Sequence, residues 1–401
     1  MTDSGWRPPA SLYLHIPFCP YKCPYCDFAT YVGGPHLVEP YVNALRQEIR
    51  ATAEAHPGHC LDTVFFGGGT PSMLSPDSIK EILAEVDYGF EIAAGAEISL
   101  EANPDAVDAA KLEGLRSAGV NRISLGVQSM DSDELKALGR GHSPEDVTST
   151  MHAVRKTGFE NLSLDLIYGT PGQTLLSWEH TLTGVLAEEP DHVSCYSLIV
   201  EPGTRFSRLR SDGRLPLPED DTVADMYDMA CSRLREAGFV HYEVANWARP
   251  GREARHNLAY WHDEEFFAAG VGAYDYLRPY RSVRVRGTKK YIEAIQAGGN
   301  AIAQRDLVAP ADEKFETAVM RLRLLREGLD RKVYRKRFGE ELDASYAEAL
   351  RELNEMGFLD EDSRAIRLRE SMVPLANEAW EKFLPPSEAG TYAGKPRLDP
   401  P

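Results

Sequence analysis

Three cysteines lie within eight residues of one another near the start of the chain. The segment HIPFCPYKCPYCDF places Cys19, Cys23 and Cys26 in a C-x3-C-x2-C spacing. A cluster of four irons is held in proteins by cysteine thiolates, usually one on each iron, and this loop offers three. The spacing therefore predicts a [4Fe–4S] cluster in which one iron is open to a small ligand.

Two other kinds of site could use the same loop. The three thiolates together with His15 could bind structural zinc as a Cys3His set. A cluster ligated entirely by cysteine would need a fourth thiol nearby, but Phe28 stands where such a thiol is expected. The cluster with an open iron is therefore favoured.

S-adenosylmethionine (SAM) suits an open iron, because the amino and carboxylate groups of its methionine part can fill the vacancy. An electron from the cluster can then cleave the nearby sulfonium bond, which yields a 5′-deoxyadenosyl radical. The remaining cysteines, Cys60, Cys195 and Cys231, stand alone in the sequence. Each of them is expected to be a buried or half-buried thiol without a function.

The elements that must position this loop follow a repeating strand–helix pattern. Strands are short apolar or β-branched runs bounded by Gly, Pro, Asn or Asp, and helical segments such as 42–56 and 105–118 separate them. The pattern predicts an α/β fold whose parallel sheet curls into a partial (β/α)6 barrel. The six predicted strands are 11–16, 63–66, 97–100, 122–127, 162–167 and 192–199.

Polar residues recur where these strands end. Ligands of such barrels bind at the carboxyl ends of the strands, and Gly67-Gly68-Gly69-Thr70-Pro71 follows the second strand. Each residue alone is more simply a loop residue or a helix cap, but their recurrence predicts one polar bowl beside the cysteine loop. The others are Glu101 and Asn103 after the third strand, Gln128 after the fourth, Asp165 in the fifth and Arg140 in the helical region beyond Gln128.

Composition limits the partners and the location. A net charge of −18 makes a nucleic-acid backbone an unsuitable partner, because such binding needs a basic surface. No stretch reaches the roughly 20 apolar residues of a membrane span, and the first residues do not resemble a signal peptide. We therefore expect a cytoplasmic protein, in which clustered cysteines indicate metal or redox chemistry.

The domain prediction divides the 401 residues into four parts. Residues 1–210 form the barrel core, and 211–310 extend it with a helix at 216–238 and irregular, aromatic-rich stretches at 241–247 and 256–276. Residues 311–385 form a smaller, mainly helical domain that resembles a winged helix. The Pro- and Gly-rich tail, 386–401, is expected to be disordered.

At this point a family resemblance can be stated. YLHIPFCPYKCPYCDF, FFGGGTPS, LEANPD, SLGVQS, LGRGHS, LDLIYGTPGQ and YSLIVEPGT occur in this order. The series resembles the radical SAM family that contains oxygen-independent coproporphyrinogen III oxidase and a group of haem chaperones, from residue 13 to about 384. The resemblance implies a [4Fe–4S] cluster and SAM as cofactors, with a SAM pocket lined by Tyr13, Tyr25, Gly68, Gly69, Thr70, Glu101, Gln128, Arg140, Asp165 and Ser197.

The resemblance also implies roles within that pocket. Glu101 would accept hydrogen bonds from the ribose or the amine of SAM, and Gln128 and Asp165 would bind on the ribose side. Arg140 would face the methionine carboxylate, for which its planar fork is suited.

Two absences and one motif favour the chaperones over the oxidase. The oxidase pattern continues C-x2-C-x-C, whereas this chain has Phe28, and the oxidase has an N-terminal extension that is not expected here. The segment RHNLAYW matches the HNxxYW motif of the chaperones, which makes His256, Tyr260 and Trp261 candidates for haem binding. Without the resemblance, His256 would be interpreted as a hydrogen-bonded packing residue.

One position departs from the family pattern. Tyr274 stands where the family usually has a histidine, although a Tyr phenolate can also ligate haem iron. A basic stretch follows that could meet haem propionates but is more simply a solvated surface: Arg278, Arg281, Arg284, Arg286, Lys289 and Lys290.

The expected function is therefore that of a haem chaperone which carries a cluster and SAM. Its expected partners are haem, a haem-acceptor protein and a low-potential electron donor, and it would act as a monomer or homodimer. The alternative is radical decarboxylation of coproporphyrinogen III. Radical modification of RNA is disfavoured by the acidic charge.

Overall fold

The computed structural model describes residues 8–384, and a nine-stranded sheet forms its centre. The first six strands lie side by side in chain order and are parallel, so their carboxyl ends meet at one edge. These six strands are β1 (Ser11–Ile16), β2 (Leu61–Gly68), β3 (Ile92–Ala102), β4 (Arg122–Gln128), β5 (Leu162–Tyr168) and β6 (His192–Ser197).

Helices connect consecutive strands, and most of them begin at a capping residue. Ser75 and Asp108 accept hydrogen bonds from the first turns of α2 and α3, and Ser143 and Thr174 form capping boxes for α5 and α6. The connecting helices are α1 (Val38–Ala55), α2 (Pro76–Phe90), α3 (Ala109–Ala118), α4 (Ser132–Ala137), α5 (Pro144–Lys156) and α6 (Leu175–Ala187).

Alternate residues of the strands face opposite sides of the sheet. The outward positions, such as Leu12, Leu14 and Val64, belong to the main apolar core, which also includes residues of the helices. The inward positions are largely polar and hydrogen-bond to one another or to α9 across the barrel. They include Tyr13 and His15 in β1, Thr63 in β2, Glu97, Ser99 and Glu101 in β3, Ser124 in β4, Ser163 and Asp165 in β5, and His192 and Ser194 in β6.

The stretches that the sequence predicts to be irregular, 241–247 and 256–276, contain short regular elements, and the helix predicted at 216–238 is present as Asp220–Glu236. A short two-stranded hairpin extends the sheet beyond β6, its inner strand antiparallel to β6, and another short strand lies parallel to β1 at the opposite edge. Strands and helices this short show too few periods to be recognised in the sequence. The elements of this part are α7 (Arg205–Ser211), α8 (Asp220–Glu236), β7 (Val240–Glu243), β8 (Asn246–Ala248), α9 (Arg255–Trp261) and β9 (Phe267–Ala269).

A small antiparallel sheet and one helix follow. The sheet has the order β10-β11-β12, and four residues separate its first strand from β9. These elements are β10 (Tyr274–Leu277), β11 (Tyr280–Arg284), α10 (Thr288–Gln296) and β12 (Ile302–Leu307).

The last part of the described chain is mainly helical and has its own apolar cluster, to which Val244 of the barrel side also belongs. Three short strands pair antiparallel in the order β13-β15-β14. The predicted fold class, an α/β barrel followed by a smaller helical region, is confirmed. The elements are α11 (Pro310–Leu322), β13 (Leu329–Asp330), α12 (Arg331–Phe338), α13 (Leu342–Ser345), α14 (Ala347–Glu355), β14 (Leu359–Glu361), β15 (Ala365–Leu368) and α15 (Ala376–Glu381).

The predicted domain boundaries stay predictions, and the tail at 386–401 lies outside the described residues. Among residues 8–384, no helix combines the length and the apolar character that crossing a membrane requires.

Candidate functional site

The cysteine loop, residues 17–31, follows β1 at the carboxyl end of the barrel. It is closed by backbone hydrogen bonds, from the Cys19 N–H to the Tyr31 carbonyl at 3.0 Å and from the Tyr31 N–H to the Pro17 carbonyl at 2.7 Å. His15 reaches it from inside the barrel, with Nε2 3.0 Å from the carbonyl oxygen of Ala29. The loop is thus fixed to β1 at both of its ends.

The thiols of the loop are half-buried and not in disulfides, and two of them contact polar groups. The Thr70 hydroxyl lies 3.7 Å from the Sγ of Cys19, and Nη1 of Arg140 lies 3.8 Å from the Sγ of Cys23. Burial raises the pKa of Cys19 to about 11, so its proton would be displaced by a metal rather than lost to water. Polar donors beside sulfur suit a thiolate-bound cluster, whose potential depends on such hydrogen bonds.

Glycines after β2 let this strand end lie against the cysteine loop. The Gly69 N–H donates to the Ile16 carbonyl at 2.8 Å, and a Cβ on Gly69 would lie 2.7 Å from the carbonyl oxygen of Pro17. Gly68 has a φ of +116°, and a Cβ there would lie 2.6 Å from the His15 ring. A side chain at Gly69 would therefore displace the loop, and one at Gly68 would displace the His15 ring that contacts the loop.

Arg140 is fixed among three strand ends. Its Nη2 donates to Oδ1 of Asn103 at 2.6 Å and to the Gly126 carbonyl at 3.0 Å, and Asn103 in turn donates to the Thr70 hydroxyl at 3.2 Å. The Nε of Arg140 is buried and has no hydrogen-bond partner within the described chain. An orphaned guanidinium donor beside the cysteine loop suits an anionic ligand, as the carboxylate of SAM would be.

Two carboxyl groups lie at the inner side of the site. Burial and the nearby Asp165 charge raise the pKa of Glu101 to about 7. A hydrogen bond from the Gly68 N–H at 3.0 Å opposes this rise. Burial also raises the pKa of Asp165, although it accepts hydrogen bonds from the Ser194 and Ser124 hydroxyls at 2.9 and 3.0 Å. Such carboxyls favour a ligand that brings an amine or hydroxyl donors.

The other predicted pocket residues are divided between two levels of the barrel. Gln128 is the last residue of β4 and has a φ of +68°, and the exposed Ser197 is the last residue of β6. Tyr25 lies in the cysteine loop, with its ring 6.2 Å from that of Phe206. Tyr13 lies one layer deeper, because it pairs with Phe65 in the register of β1 and β2 and its hydroxyl is 3.1 Å from Nδ1 of His15.

Of the ten predicted pocket residues, Thr70 and Arg140 contact thiols of the loop, Tyr25 belongs to the loop, and Tyr13 lies deeper in the barrel. The SAM-binding role of the ten residues stays a prediction. The sequence predicts Asn103 only as a strand-end residue of the polar bowl, and its bridge between Thr70 and Arg140 has no signal in the sequence.

Comparison with known proteins gives the family. Residues 13–183 match the Radical SAM superfamily, and residues 308–371 match the HemN C-terminal domain. The chain is 38% identical to the haem chaperone HemW of Bacillus subtilis, over 93% of this chain and 99% of that protein. It is 36% identical to HemW of Escherichia coli, over 79% of this chain and 83% of that protein. The chain belongs to the HemW family.

A solved structure shows how widely the fold extends beyond the HemW family. The coproporphyrinogen III oxidase HemN of Escherichia coli aligns with a TM-score of 0.82 and 26% identity, covering 95% of this chain and 91% of that one. Membership of the radical SAM superfamily implies a [4Fe–4S] cluster and SAM, and the donors described above fit both groups.

The HNxxYW motif of this HemW-family protein lies at the other end of the barrel. The imidazole of His256 in α9 lies 2.8 Å from the Thr63 hydroxyl through Nδ1 and 2.9 Å from the Tyr260 hydroxyl through Nε2, and it stacks on Phe65 at 5.1 Å. The residue is only 1% exposed, and burial lowers its pKa to about 3. Both ring nitrogens are therefore occupied, which is the geometry of a hydrogen-bonded packing residue.

The two aromatic residues of the motif are also buried. Tyr260 packs edge-on against Phe266 at 4.6 Å, and the guanidinium of Arg323 lies 4.2 Å from the centre of the Trp261 ring. Neither ring offers a flat exposed surface to a porphyrin in this arrangement. The haem role of the motif stays a prediction, and the contacts of its residues support the packing alternative.

Most of the basic stretch is neutralised by ion pairs within the protein. Arg278 pairs with Glu313, Arg281 with Glu316, and Arg284 with Glu48 and Asp275. The exposed residues of the stretch are Arg286, Lys289 and Lys290.

Arg286 connects this stretch to the cysteine loop, because its Nη2 donates to the Asp27 carbonyl at 2.8 Å. Beside it lies a groove of about 270 Å³ between the loop and the start of α10, with Phe28, Tyr31 and Val271 in its wall. Phe28 is 52% exposed at this edge. Tyr274, at the start of β10, is half-buried. It lies two residues after Gly272, where a Cβ would be 2.8 Å from Ala29 of the cysteine loop.

Proposed function

We propose that this protein binds haem, a [4Fe–4S] cluster and SAM, and passes haem to an acceptor protein. The observation that carries the proposal is its similarity to HemW proteins along nearly the whole chain, 38% for the Bacillus subtilis protein and 33% for that of Lactococcus lactis. The three-cysteine loop with Phe28 in place of a further thiol agrees with it.

The chain's own residues would divide the work of holding the cofactors. Cys19, Cys23 and Cys26 would ligate three irons, and when bound, the reduced cluster would supply the electron that cleaves SAM. Arg140, held by Asn103 and Gly126, would direct its guanidinium at the methionine carboxylate.

The inner carboxyls would orient the rest of SAM. Glu101 is held at one oxygen by the Gly68 N–H, and it would accept a hydrogen bond from the ribose or the amine. Asp165, fixed by the Ser124 and Ser194 hydroxyls, would act with Gln128 on the ribose side. Because the pKa of Glu101 is about 7, a cationic amine close to it would keep it ionised.

The haem site has less support from the side-chain contacts than the cluster and SAM sites have. For His256 to ligate iron, α9 would have to give up the hydrogen bonds to Thr63 and Tyr260. The exposed cations Arg286, Lys289 and Lys290 would suit haem propionates. The acceptor protein, the electron donor, the cytoplasmic location and the choice between monomer and homodimer stay predictions.

Oxidation of coproporphyrinogen III is the second candidate, because HemN shares the fold over 95% of this chain. One preparation can separate the two functions. The protein is reconstituted anaerobically, titrated with haem, and incubated with coproporphyrinogen III, SAM and a low-potential reductant, with HemN as positive control. We expect haem binding and no protoporphyrinogen, and product formed over several turnovers would move the oxidase to first place.

A further inference from the structure

Three potential metal ligands converge outside the cysteine loop. The Sγ of Cys231 in α8, a ring nitrogen of His241 in β7 and a carboxylate oxygen of Glu370 all lie within 4.8 Å of one another. Glu370 begins a short 3-10 helix, Glu370–Leu375, in the C-terminal region. Two consecutive elements and a segment 129 residues beyond His241 thus bring a thiol, an imidazole and a carboxylate together.

The hydrogen bonds of His241 leave one contact unexplained. Its Nδ1 lies 2.9 Å from Oε1 of Glu370, and its Nε2 faces the carbonyl oxygen of Val244 at the longer distance of 3.4 Å. A neutral imidazole carries a single N–H, so one of its nitrogens would face an acceptor without a proton between them. Either a second proton or a metal ion must therefore lie in this cluster.

The contacts around the three residues leave ligand atoms that a metal ion can reach. If Nε2 carries the proton and points at the Val244 carbonyl, Nδ1 is bare and available, as in many metal-bound histidines. Arg235 pairs with Oε2 of Glu370, which leaves Oε1 facing His241. The Tyr227 hydroxyl donates to the backbone carbonyl of Glu370 at 2.9 Å and so fixes the start of that helix.

We propose that Cys231, His241 and Glu370 bind a divalent transition-metal ion of the zinc type. Zinc–ligand distances of about 2.0–2.3 Å place tetrahedral ligand atoms roughly 3.3–3.8 Å apart, so atoms that now lie up to 4.8 Å apart need to approach by at most about 1.5 Å. Nδ1 of His241 and Oε1 of Glu370, which are 2.9 Å apart, need to separate slightly. A water molecule can complete the set from the side of Glu370, whose side chain is 32% exposed. The ion would fasten α8 and β7 to the C-terminal region, and the site is independent of the proposed function.

The experiment uses the full chain with its cluster reconstituted, so that the loop thiolates are already occupied. The protein is incubated with Zn²⁺, desalted, and analysed for zinc and iron together. We expect one zinc per chain in addition to the cluster iron. Cys231→Ser and His241→Gln should lower zinc affinity at least about tenfold, about 1.4 kcal/mol, with iron unchanged. Cys195→Ser is the matched control, because Cys195 is also buried but lies outside the three residues, and it should keep its zinc.

Cobalt provides a second readout that depends on the thiolate. Co²⁺ in the wild type should show a thiolate-to-metal charge-transfer band that Cys231→Ser lacks. If His241→Gln does not fold, Cys231→Ser and Glu370→Gln decide the question. A wild type that retains no zinc, or equal zinc retention in Cys231→Ser and the control, would overturn the proposal and leave a protonated histidine between two acceptors.

Discussion

The buried histidine of α9 provides the sharpest test of how the barrel is held together. His256→Ala removes a ring whose two nitrogens contact the Thr63 and Tyr260 hydroxyls, and it leaves both hydroxyls without these partners. Each unsatisfied buried group costs about 1–3 kcal/mol, and the space left beside Phe65 adds to this. We expect the free energy of unfolding to fall by about 3–5 kcal/mol, which is large against a typical total of about 5–15 kcal/mol.

The chain contains a matched control for this substitution. His192 in β6 is also 1% exposed, with Nδ1 2.8 Å from the Ser163 hydroxyl and Nε2 2.9 Å from the Tyr242 hydroxyl. His192→Ala should therefore lose a similar free energy, although it lies outside the HNxxYW motif. Urea unfolding of the reconstituted proteins, followed by circular dichroism, measures both losses.

The same two variants also address the haem role. An unfolding free energy unchanged in His256→Ala would refute the packing argument. Haem titration of the folded variants adds a separate readout, because both substitutions remove a similar buried ring. A fall in haem affinity confined to His256→Ala would assign to the motif the haem role that the sequence predicts.

Three further predictions follow from the site and the buried histidines. Replacing the three loop cysteines, Cys19, Cys23 and Cys26, by serine should remove about four irons per chain. Replacing the other three cysteines should leave the iron content unchanged. Zinc in the loop of the wild type, without labile sulfide, would contradict this prediction. Arg140→Lys should keep the iron but weaken SAM binding about tenfold, as measured by SAM titration of the reduced cluster's EPR signal, and an unchanged affinity would argue against the carboxylate contact. Burial lowers the pKa of His256 to about 3 and that of His142 to about 4, so the unfolded chain binds more protons between these values and about 6.5. Stability should therefore be fully present above pH 6.5 and fall as the pH is lowered towards 4, with a smaller fall in His256→Ala, and a urea midpoint independent of pH would refute it.

The sequence identified the strands well because the apolar alternation is local. β1 was predicted with both of its ends as observed, and the other five strands differ from their predictions mainly at the ends. The same alternation also indicates which strand residues face the polar interior of the barrel. In β3 the order Glu97, Ser99, Glu101 places polar side chains on one face and Ile98 and Leu100 on the other.

Contacts between distant residues could not be read from the sequence in this way. The partner of His256 is Thr63, which lies 193 residues earlier in the chain. The position of Arg140 beyond the fourth strand predicts that it belongs to the polar bowl, but its support by Asn103 depends on two strand ends meeting in space. Pairings of this kind follow from the closure of the barrel, which no local pattern specifies.

β3 links the two ends of the barrel. At the middle of this strand Glu97 accepts hydrogen bonds from the backbone N–H groups of Arg255 and His256 at 3.0 and 3.2 Å. These groups have no partners within their helix, and α9 has no side-chain cap of its own, so the carboxylate of Glu97 takes that role and fixes the helix beneath the barrel. Four residues later, about 13 Å along the strand, Glu101 faces the cofactor site. The helix that closes the barrel floor is therefore hydrogen-bonded to the strand that carries Glu101, and through this strand the HNxxYW motif is connected to the candidate site.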